Sequence, residues 1–438
     1  MNNFDFTDLI LLVGTNPLPN YVVGKYFLGE LEKGNFKGDS KLQRIWLVYT
    51  SQTKKYADNL EKEFKSKITI EKRSLSDEAS AFKIRKDFRD GVLNNLKGKT
   101  IHLNYTGGTK SISVHSYIST LKECVDSSEN ELGINATYSY LNARGFNIYQ
   151  DEKEDPSTGD LRKEIDLSLE ILFGLHGYFR INKKDNYKHH LTLFNKEIEN
   201  LFSINNPTDV LKEIKEFHKI VRIKSNGNLI IKRDDLELSV KLSDIQKSIL
   251  LNLPSELKIY LENGLRNESI TDQNVAYVTK LLGTGKWLEI YIEYIISKLA
   301  SLKLFDTGWE IRDPSWNQAK NPNGSYKVQF ELDVIALNGY QFIGVSCTTD
   351  SSRSQCKSKA FEISHRSKQI GGEEAKSILI SALKVPELNT KSTDEISPKD
   401  LQMELDTDLD NSGNILILGN EDLKPQILAK KIEEFIKK

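Results

Sequence analysis

The sequence predicts an α/β protein of three units: a parallel sheet wound with helices, a small mainly helical connector, and a second mixed unit built around a tight hairpin. Two observations carry this. β-like and amphipathic helical stretches alternate through the first 150 residues, the pattern of a parallel sheet with helices on its faces. Further on, two β-like runs meet at Asn338-Gly339, the strongest short-range hairpin signal because both central positions of such a turn take positive φ. A chain of 438 residues is long enough for two or three separate cores.

In the first unit, residues 1–160, the predicted strands are Leu9–Val13, Arg44–Tyr49, Ile68–Ile70, Thr100–Asn104 and Ala136–Leu141. Helices are predicted between them at Tyr21–Glu32, Lys54–Lys65, Ala79–Asn95 and Ser111–Val125. Such sheets bind ligands beyond the carboxyl ends of their strands. Those ends carry Gly14-Thr15-Asn16-Pro17, Thr50-Ser51-Gln52 and Thr106-Gly107-Gly108-Thr109-Lys110. The Gly-Gly-Thr-Lys turn offers backbone N–H groups and a helix N-terminus with Lys110 nearby, an anion site. On the plainer reading, Gly107-Gly108 only makes a tight strand-to-helix connection. It is not a Walker A loop, since Thr109 rather than Gly precedes Lys110. The first turn lacks a GxGxxG fingerprint; Thr15, Asn16 and Pro17 instead offer a hydroxyl, an amide and a rigid bend suited to a ribose or base.

A polar stretch, Asp151–Lys163, reads as a linker. The connector, residues 161–272, contains the Lys- and Asn-rich Arg180–His190, helical patterns at Asn195–Phe202 and Val210–Ile220, and a hairpin at Leu229–Val240 entered from Asn226-Gly227. Helical segments at Ser243–Leu251 and Glu256–Asn263 follow. The third unit, residues 273–438, reads as the helix Lys286–Leu299, the hairpin, the helix Gln355–Gln369 and the strand Ala375–Ala382. An acidic loop, Val385–Asp410, the strand Asn414–Leu418 and the helix Leu423–Ile436 close it. The loop is expected to be a mobile excursion.

The net charge of -1 gives no global attraction to nucleic acid, so any such binding must come from local patches. Three cysteines and seven histidines show neither disulfide-framework numbers nor metal-ligand spacing. A reducing cytoplasm is expected. No apolar stretch approaches the ~20 residues of a membrane helix.

The run entering the hairpin alternates, with Val328, Phe330, Leu332 and Val334 on one face and Gln329, Glu331 and Asp333 on the other. A two-residue Asn338-Gly339 turn would set Asp333 opposite Gly344 and Glu331 opposite Ser346. Glu331, Asp333, Ser346 and Thr348 would then share a face. The next helix carries Lys357 and, on one face at i, i+3 and i+7, Lys359, Glu362 and Arg366. Oxygen ligands beside a Lys-rich helix suit a metal-dependent phosphodiesterase, the Lys stabilising phosphate charge. The plainer readings are a solvated helix stripe of Lys286, Glu289, Glu293 and Ser297, a half-exposed strand face at Glu331, and a surface Lys359–Glu362 ion pair of little worth.

Leu11-Leu12-Val13-Gly14-Thr15-Asn16-Pro17, with Asn104-Tyr105-Thr106-Gly107-Gly108-Thr109-Lys110-Ser111, resembles a CARF domain, the sensor of type III CRISPR ancillary proteins. The resemblance spans roughly residues 5–150. It implies a Rossmann-like homodimeric domain holding a cyclic oligoadenylate, cyclic tetra-adenylate, across the two-fold axis. Trp287-Leu288-Glu289 and Glu331-Leu332-Asp333-Val334 resemble the restriction-endonuclease-like PD-(D/E)XK domain fused to CARF in these nucleases. That pattern places Glu-x-Lys on the partner strand, where this chain has Ser346-Cys347-Thr348. Either the catalytic groups have moved to the following helix, or the domain binds without cutting. Migration implies that Asp333 with Glu289 or Glu362 holds Mg²⁺ or Mn²⁺, and that Lys359 or Lys357 stabilises the transition state. The resemblance thus implies a ligand-activated nuclease acting on DNA or RNA. A nuclease-dead regulator and an enzyme degrading the cyclic messenger are the alternatives.

Overall fold

Runs too apolar for solvent on either face build the centre of the first sheet. A computed structural model describes residues 4–36, 41–122, 132–182, 191–223, 229–231, 243–254, 277, 279–313, 327–384, 396–408 and 413–437. Strands β1 (Asp8–Leu12), β2 (Arg44–Thr50), β3 (Thr69–Leu75), β4 (Thr100–Asn104) and β5 (Asn135–Asn142) run parallel. Strand β6 (Asn147–Gln150) turns back antiparallel at the edge, giving the order β3-β2-β1-β4-β5-β6. Helices α1 (Leu18–Glu32), α2 (Lys54–Phe64), α3 (Ala81–Gly91) and α4 (Lys110–Lys122) connect them. All five residues of β1 are buried. Leu9 and Leu11 join the core containing Phe27 of α1 and Phe64 of α2, while Ile10 and Leu12 join the one containing Ile84 and Phe88 of α3. That two-sided burial is why the strand reads as an unbroken apolar run.

The segment read as a linker is bound into the structure. Leu161 is fully buried, and Arg162 Nη1 donates to Gln341 Oε1 at 3.0 Å. Helix α5 (Leu169–His176) and strand β7 (Phe179–Arg180) follow, and β7 pairs with the second sheet. Residues 161–180, assigned to the connector by sequence, therefore bridge the sheets. The connector proper contains α6 (Thr192–Ile204), α7 (Pro207–Ile220), a short antiparallel pair of β8 (Val221–Ile223) with β9 (Leu229–Ile231), and α8 (Asp244–Leu251). Residues 224–228 and 232–240, the predicted helix Glu256–Asn263, and His189-His190 lie outside the described residues.

The second sheet has the order β14-β13-β12-β11-β10-β7. Helix α9 (Lys286–Ile296) leads into an antiparallel meander of β10 (Leu304–Arg312), β11 (Phe330–Asn338) and β12 (Gln341–Cys347). Helix α10 (Arg353–Gly371) then crosses to β13 (Lys376–Ile380), parallel to β12, followed by α11 (Pro398–Asp408), β14 (Ile415–Leu418) and α12 (Pro425–Lys437). Part of the acidic loop is therefore helix: Leu401 and Leu405, both fully buried, pack with Ile415, Ile417 and Ala360. Its acidic residues obscured an i, i+4 apolar pair. Residues 385–395 lie outside the described residues.

One continuous apolar cluster runs from Phe4 and Phe27 through Leu161, Leu172 and Phe173 to Trp309, Phe342 and Ile370. Phe173 meets Trp309 with ring centroids 4.9 Å apart. The two sheets share a core.

Candidate active site and candidate ligand loops

In the first sheet β1 and β4 are neighbours, and the chain leaves them toward opposite edges. A crevice forms where strand order reverses, and it is flanked by Gly14–Pro17 and Thr106–Lys110. Glycine is required here. A Cβ on Gly107 would lie 1.9 Å from the Leu12 carbonyl oxygen, and Gly108 has φ +78. The loops are braced from beneath: Asn16 Oδ1 accepts from the Leu18 N–H at 3.1 Å, and Thr109 Oγ1 accepts from Ile112 N–H at 3.2 Å while donating to the Glu78 carbonyl at 3.0 Å. Thr15, Ser51, Gln52, Thr109 and Lys110 are exposed along this edge, with Asn16, Thr106, Gly107 and Gly108 half-buried. Pro17 and Thr50 are buried. Thr50 and Thr106 serve the scaffold: the Thr50 N–H donates to Thr53 Oγ1 at 3.0 Å, and Thr106 Oγ1 accepts from Leu141 N–H at 2.7 Å. Two glycines, a helix N-terminus and an exposed lysine can cradle an anion.

In the second sheet the hairpin turns one residue later than expected. Asn338 pairs with Gln341, so the two turn residues are Gly339, at φ +60, and Tyr340. Val334 faces Val345, which sets Asp333 opposite Ser346. Side-chain facing also departs from alternation. Phe330 and Leu332 pack with Ile335, Leu337 and Ile363 of α10, whereas Val334 and Ala336 pack with α9. β10 behaves likewise, with Phe305 on the α9 side and Trp309 and Ile311 on the other. Facing inverts between Leu332 and Val334, where Gly308, at φ +60, stands across from Asp333. The expected single face of Val328, Phe330, Leu332 and Val334 is thus broken at Asp333, and Val328 is exposed.

The inversion brings Glu331 and Asp333 into electrostatic range of Lys286 and Glu289 on α9. Lys286 and Glu289 form a buried ion pair one helical turn apart. A Cβ on Gly308 would lie 2.5 Å from Lys286 Nζ, so glycine clears the space this side chain occupies. Asp333 Oδ2 accepts from the Cys347 N–H at 2.7 Å and from Ser346 Oγ at 3.1 Å. Burial, reinforced by Asp333 and Glu331 and opposed by Lys286, pushes the Glu289 carboxyl up to about 7. Burial and then Asp333 raise Glu331 as well. Burial alone would lower Lys286, but Glu289, Glu331 and Asp333 outweigh it and hold its ammonium above the ordinary range. Cys347 is pushed well up by burial and by the Asp333 and Glu289 charges, so it acts as a small neutral hydrophobe.

Of the predicted α10 cluster, Lys359 lies within electrostatic range of Cys347, whose N–H donates to Asp333, while Lys357 and Arg366 are engaged elsewhere. Lys357 pairs with Glu404 of α11, which also takes Arg353 at 3.0 Å. Arg366 lies over the Phe330 ring, 4.4 Å from its centroid. Glu362 is exposed, and no hydrogen bond or ion pair among the described residues joins it to Asp333, Glu289 or Glu331. Lys359, half-buried, makes its charge felt at Cys347 and Cys356. The stripe of Lys286, Glu289 and Glu293, expected to be solvated, is largely buried, with Lys286 8 % and Glu293 7 % exposed. Lys286 is the residue that sequence reasoning passed over; the available signal was a Lys–Glu pair at i, i+3 and a Gly inside the β10 run.

No protein-family model and no curated protein sequence matches the chain. Solved structures do resemble it. Can2 from Sulfobacillus thermosulfidooxidans, solved in complex with cyclic tetra-adenylate, aligns over 97% of this chain and 97% of its own, with TM-score 0.59 and 14% identity. Protein VC1899 from Vibrio cholerae aligns over 98% of both chains, with TM-score 0.65 and 11% identity. The chain therefore shares their mixed α/β fold along nearly its whole length.

Proposed function

We propose that this protein is a nuclease switched on by a cyclic oligoadenylate and acting as a cytoplasmic homodimer in type III CRISPR antiviral defence. The observation that carries the reading is the gathering of Glu289, Glu331 and Asp333 within electrostatic range of the buried Lys286, in a chain whose first sheet carries anion-cradling loops at its crevice. The fold likeness to Can2, a protein solved with cyclic tetra-adenylate, supports that ring as the ligand. Exposed Thr15, Thr109 and Lys110, with Asn16 and the Gly107-Gly108 backbone, would receive it. Val114, Ile118 and Leu121 form a partly exposed apolar stripe on α4 beside Lys110, at i, i+4 and i+7. A second copy docked there would bring two identical loops to one symmetric ring. The order of α9, three antiparallel strands, α10 and parallel β13 supports reading residues 273–438 as the PD-(D/E)XK unit.

The residues fit a hard divalent ion. Glu289, Glu331 and Asp333 offer only oxygen donors, and the burial and mutual repulsion that lift Glu289 to about 7 favour a bound cation. Among the described residues, no three His, Cys, Asp or Glu side chains stand close enough to hold an ion as placed, so Glu289 must exchange Lys286 for it. Bound there, Mg²⁺ or Mn²⁺ would polarise a phosphate oxygen and acidify water. The chain's own groups do the rest. Ser346 and the Cys347 N–H hold the Asp333 carboxylate in place. Lys286, released from Glu289, stabilises charge on the phosphoryl oxygens and so takes the part expected of Lys359 or Lys357. Lys359 and Glu362 remain at the rim, where Lys359 can meet substrate phosphate.

The test is cleavage of plasmid and of single-stranded DNA and RNA, with and without cyclic tetra-adenylate and Mg²⁺ or Mn²⁺. Asp333→Ala should abolish ligand-stimulated cleavage and leave cyclic tetra-adenylate binding intact. Lys286→Met should cost about 10²-fold or more in rate, and Lys359→Ala far less. Cleavage by Asp333→Ala at the wild-type rate overturns the assignment. A wild-type protein that binds nucleic acid but never cuts it is the regulator instead.

A further inference from the structure

A cavity of about 210 Å³ opens at the N-terminal end of α9, between α7 and the segments that follow β12, β13 and β14. Among the described residues its lining includes Lys212, Lys215 and Lys384 and no carboxylate, a local positive patch on a chain of net charge -1. All three lysines are exposed. Lys215 also acts electrostatically on Asp350. Gly285, the N-cap of the eleven-residue α9, forms part of the wall, and no side chain caps that helix end. Lys286 is the next residue, so the cavity and the Lys286–Glu289 pair share the first turn of α9.

A second observation points to a ligand. Asn420 lines the cavity and is 1% exposed, yet its Oδ1 has no hydrogen-bond partner. Its Nδ2 donates to Thr208 Oγ1 at 2.6 Å, and Thr208 lies on the same wall. A buried acceptor left open is destabilising unless something donates to it. Lysines and a helix N-terminus call for phosphate, and the amide oxygen calls for a hydroxyl or amino group. A nucleotide unit carries both.

We propose that this cavity is a subsite for the nucleic acid strand being cut, holding a phosphodiester adjacent to the one hydrolysed. The inference rests on the nuclease reading above. Lys212, Lys215 and Lys384 neutralise the phosphate, α9 directs its N-terminus at it, and Asn420 Oδ1 accepts from the sugar or base. The connector thereby becomes part of the active site, with α7 supplying the wall that faces the second sheet.

The experiment measures binding of short fluorescent single-stranded DNA and RNA oligonucleotides by anisotropy, in chelator to prevent cutting, across a salt series. The double charge reversal Lys212→Glu/Lys215→Glu should weaken binding at least about tenfold and reduce the salt slope by about two. Lys430→Glu/Lys437→Glu on the exposed face of α12, an equal change in net charge, should leave both unchanged. Cyclic tetra-adenylate affinity should be the same in all three proteins, which shows that each is folded. Binding and cleavage by Lys212→Glu/Lys215→Glu equal to the α12 control would overturn the subsite while leaving the nuclease intact. A wild-type protein that neither binds nor cuts nucleic acid, with metal and cyclic tetra-adenylate supplied, would overturn the nuclease reading and the subsite with it.

Discussion

Glu289 and Lys286 stand one turn apart on a helix whose other faces are apolar, and burial opposes the charge of each. Glu289 is the clearer case, because its carboxyl is raised from an unfolded value near 4.5 to about 7. The folded protein then holds a proton that the unfolded chain releases. Stability from this group is full below about pH 4.5 and is lost as pH rises toward 7, by up to a few kcal/mol. Glu374, also pushed up to about 7 by burial, acts in the same direction. Comparing Glu289→Gln with the wild type isolates the first group. The variant should gain in melting temperature relative to wild type between pH 5 and pH 8; a difference independent of pH would show that Glu289 is not buried as described. Asp333 was visible in the sequence only as a carboxylate inside a β-like run, since the alternation expected there fails at that residue. The burial of Glu289 was not, because it depends on Gly308 inverting the facing of β10 and β11, a pairing between residues distant in sequence.

At the scale of elements, the apolar β1, β2 and β4 runs could be read directly, and so could the helices between them. The misreadings came where charge masked a small apolar signal. Helix α11 is the example, with eleven residues, strongly acidic, held by Leu401 and Leu405. Its start was written in Ser397-Pro398: Ser397 Oγ accepts from Asp400 N–H at 3.0 Å, and proline fills the first helical position. Ser397→Ala should cost about 1 kcal/mol of stability, read as a lower denaturant midpoint with unchanged slope. Because α11 also anchors Glu404 against Lys357 and Arg353, the same variant should raise hydrogen exchange in α11 first. The hairpin slipped by one residue for a different reason. Gly339 suits the first turn position as well as the second, and the approach of the Arg162 backbone to it selects between them: a Cβ on Gly339 would lie 2.1 Å from the Arg162 carbonyl oxygen.

The contact between Gly339 and Arg162 is one of several between the halves of the molecule, and they determine whether a ligand at one sheet can be felt at the other. His176 Nε2 meets the Ile370 carbonyl at 2.7 Å, and Lys55 pairs with Asp313 at 3.3 Å. The most telling contact involves the ligand loop itself. Asn16 lies against Gly372, just beyond α10, so closely that a Cβ there would come 2.2 Å from Asn16 Nδ2. Gly372 also has φ +78, and the turn after it leads directly into β13. If the proposed ring binds there and moves the Asn16 side chain, the end of α10 is the group that would feel it. Gly372→Ala should displace Asn16 and weaken cyclic tetra-adenylate binding by about tenfold, although residue 372 belongs to the other sheet. A positive φ alone costs an alanine about 1–2 kcal/mol, so the variant needs a control of matched strain. Gly34 supplies it, with φ +77 and nothing among the described residues within 4 Å of its Cβ position. Gly34→Ala should lose similar stability and keep full ligand affinity, measured by calorimetric titration. Equal affinities in the two variants would mean that the sheets share a core without exchanging a signal through this contact.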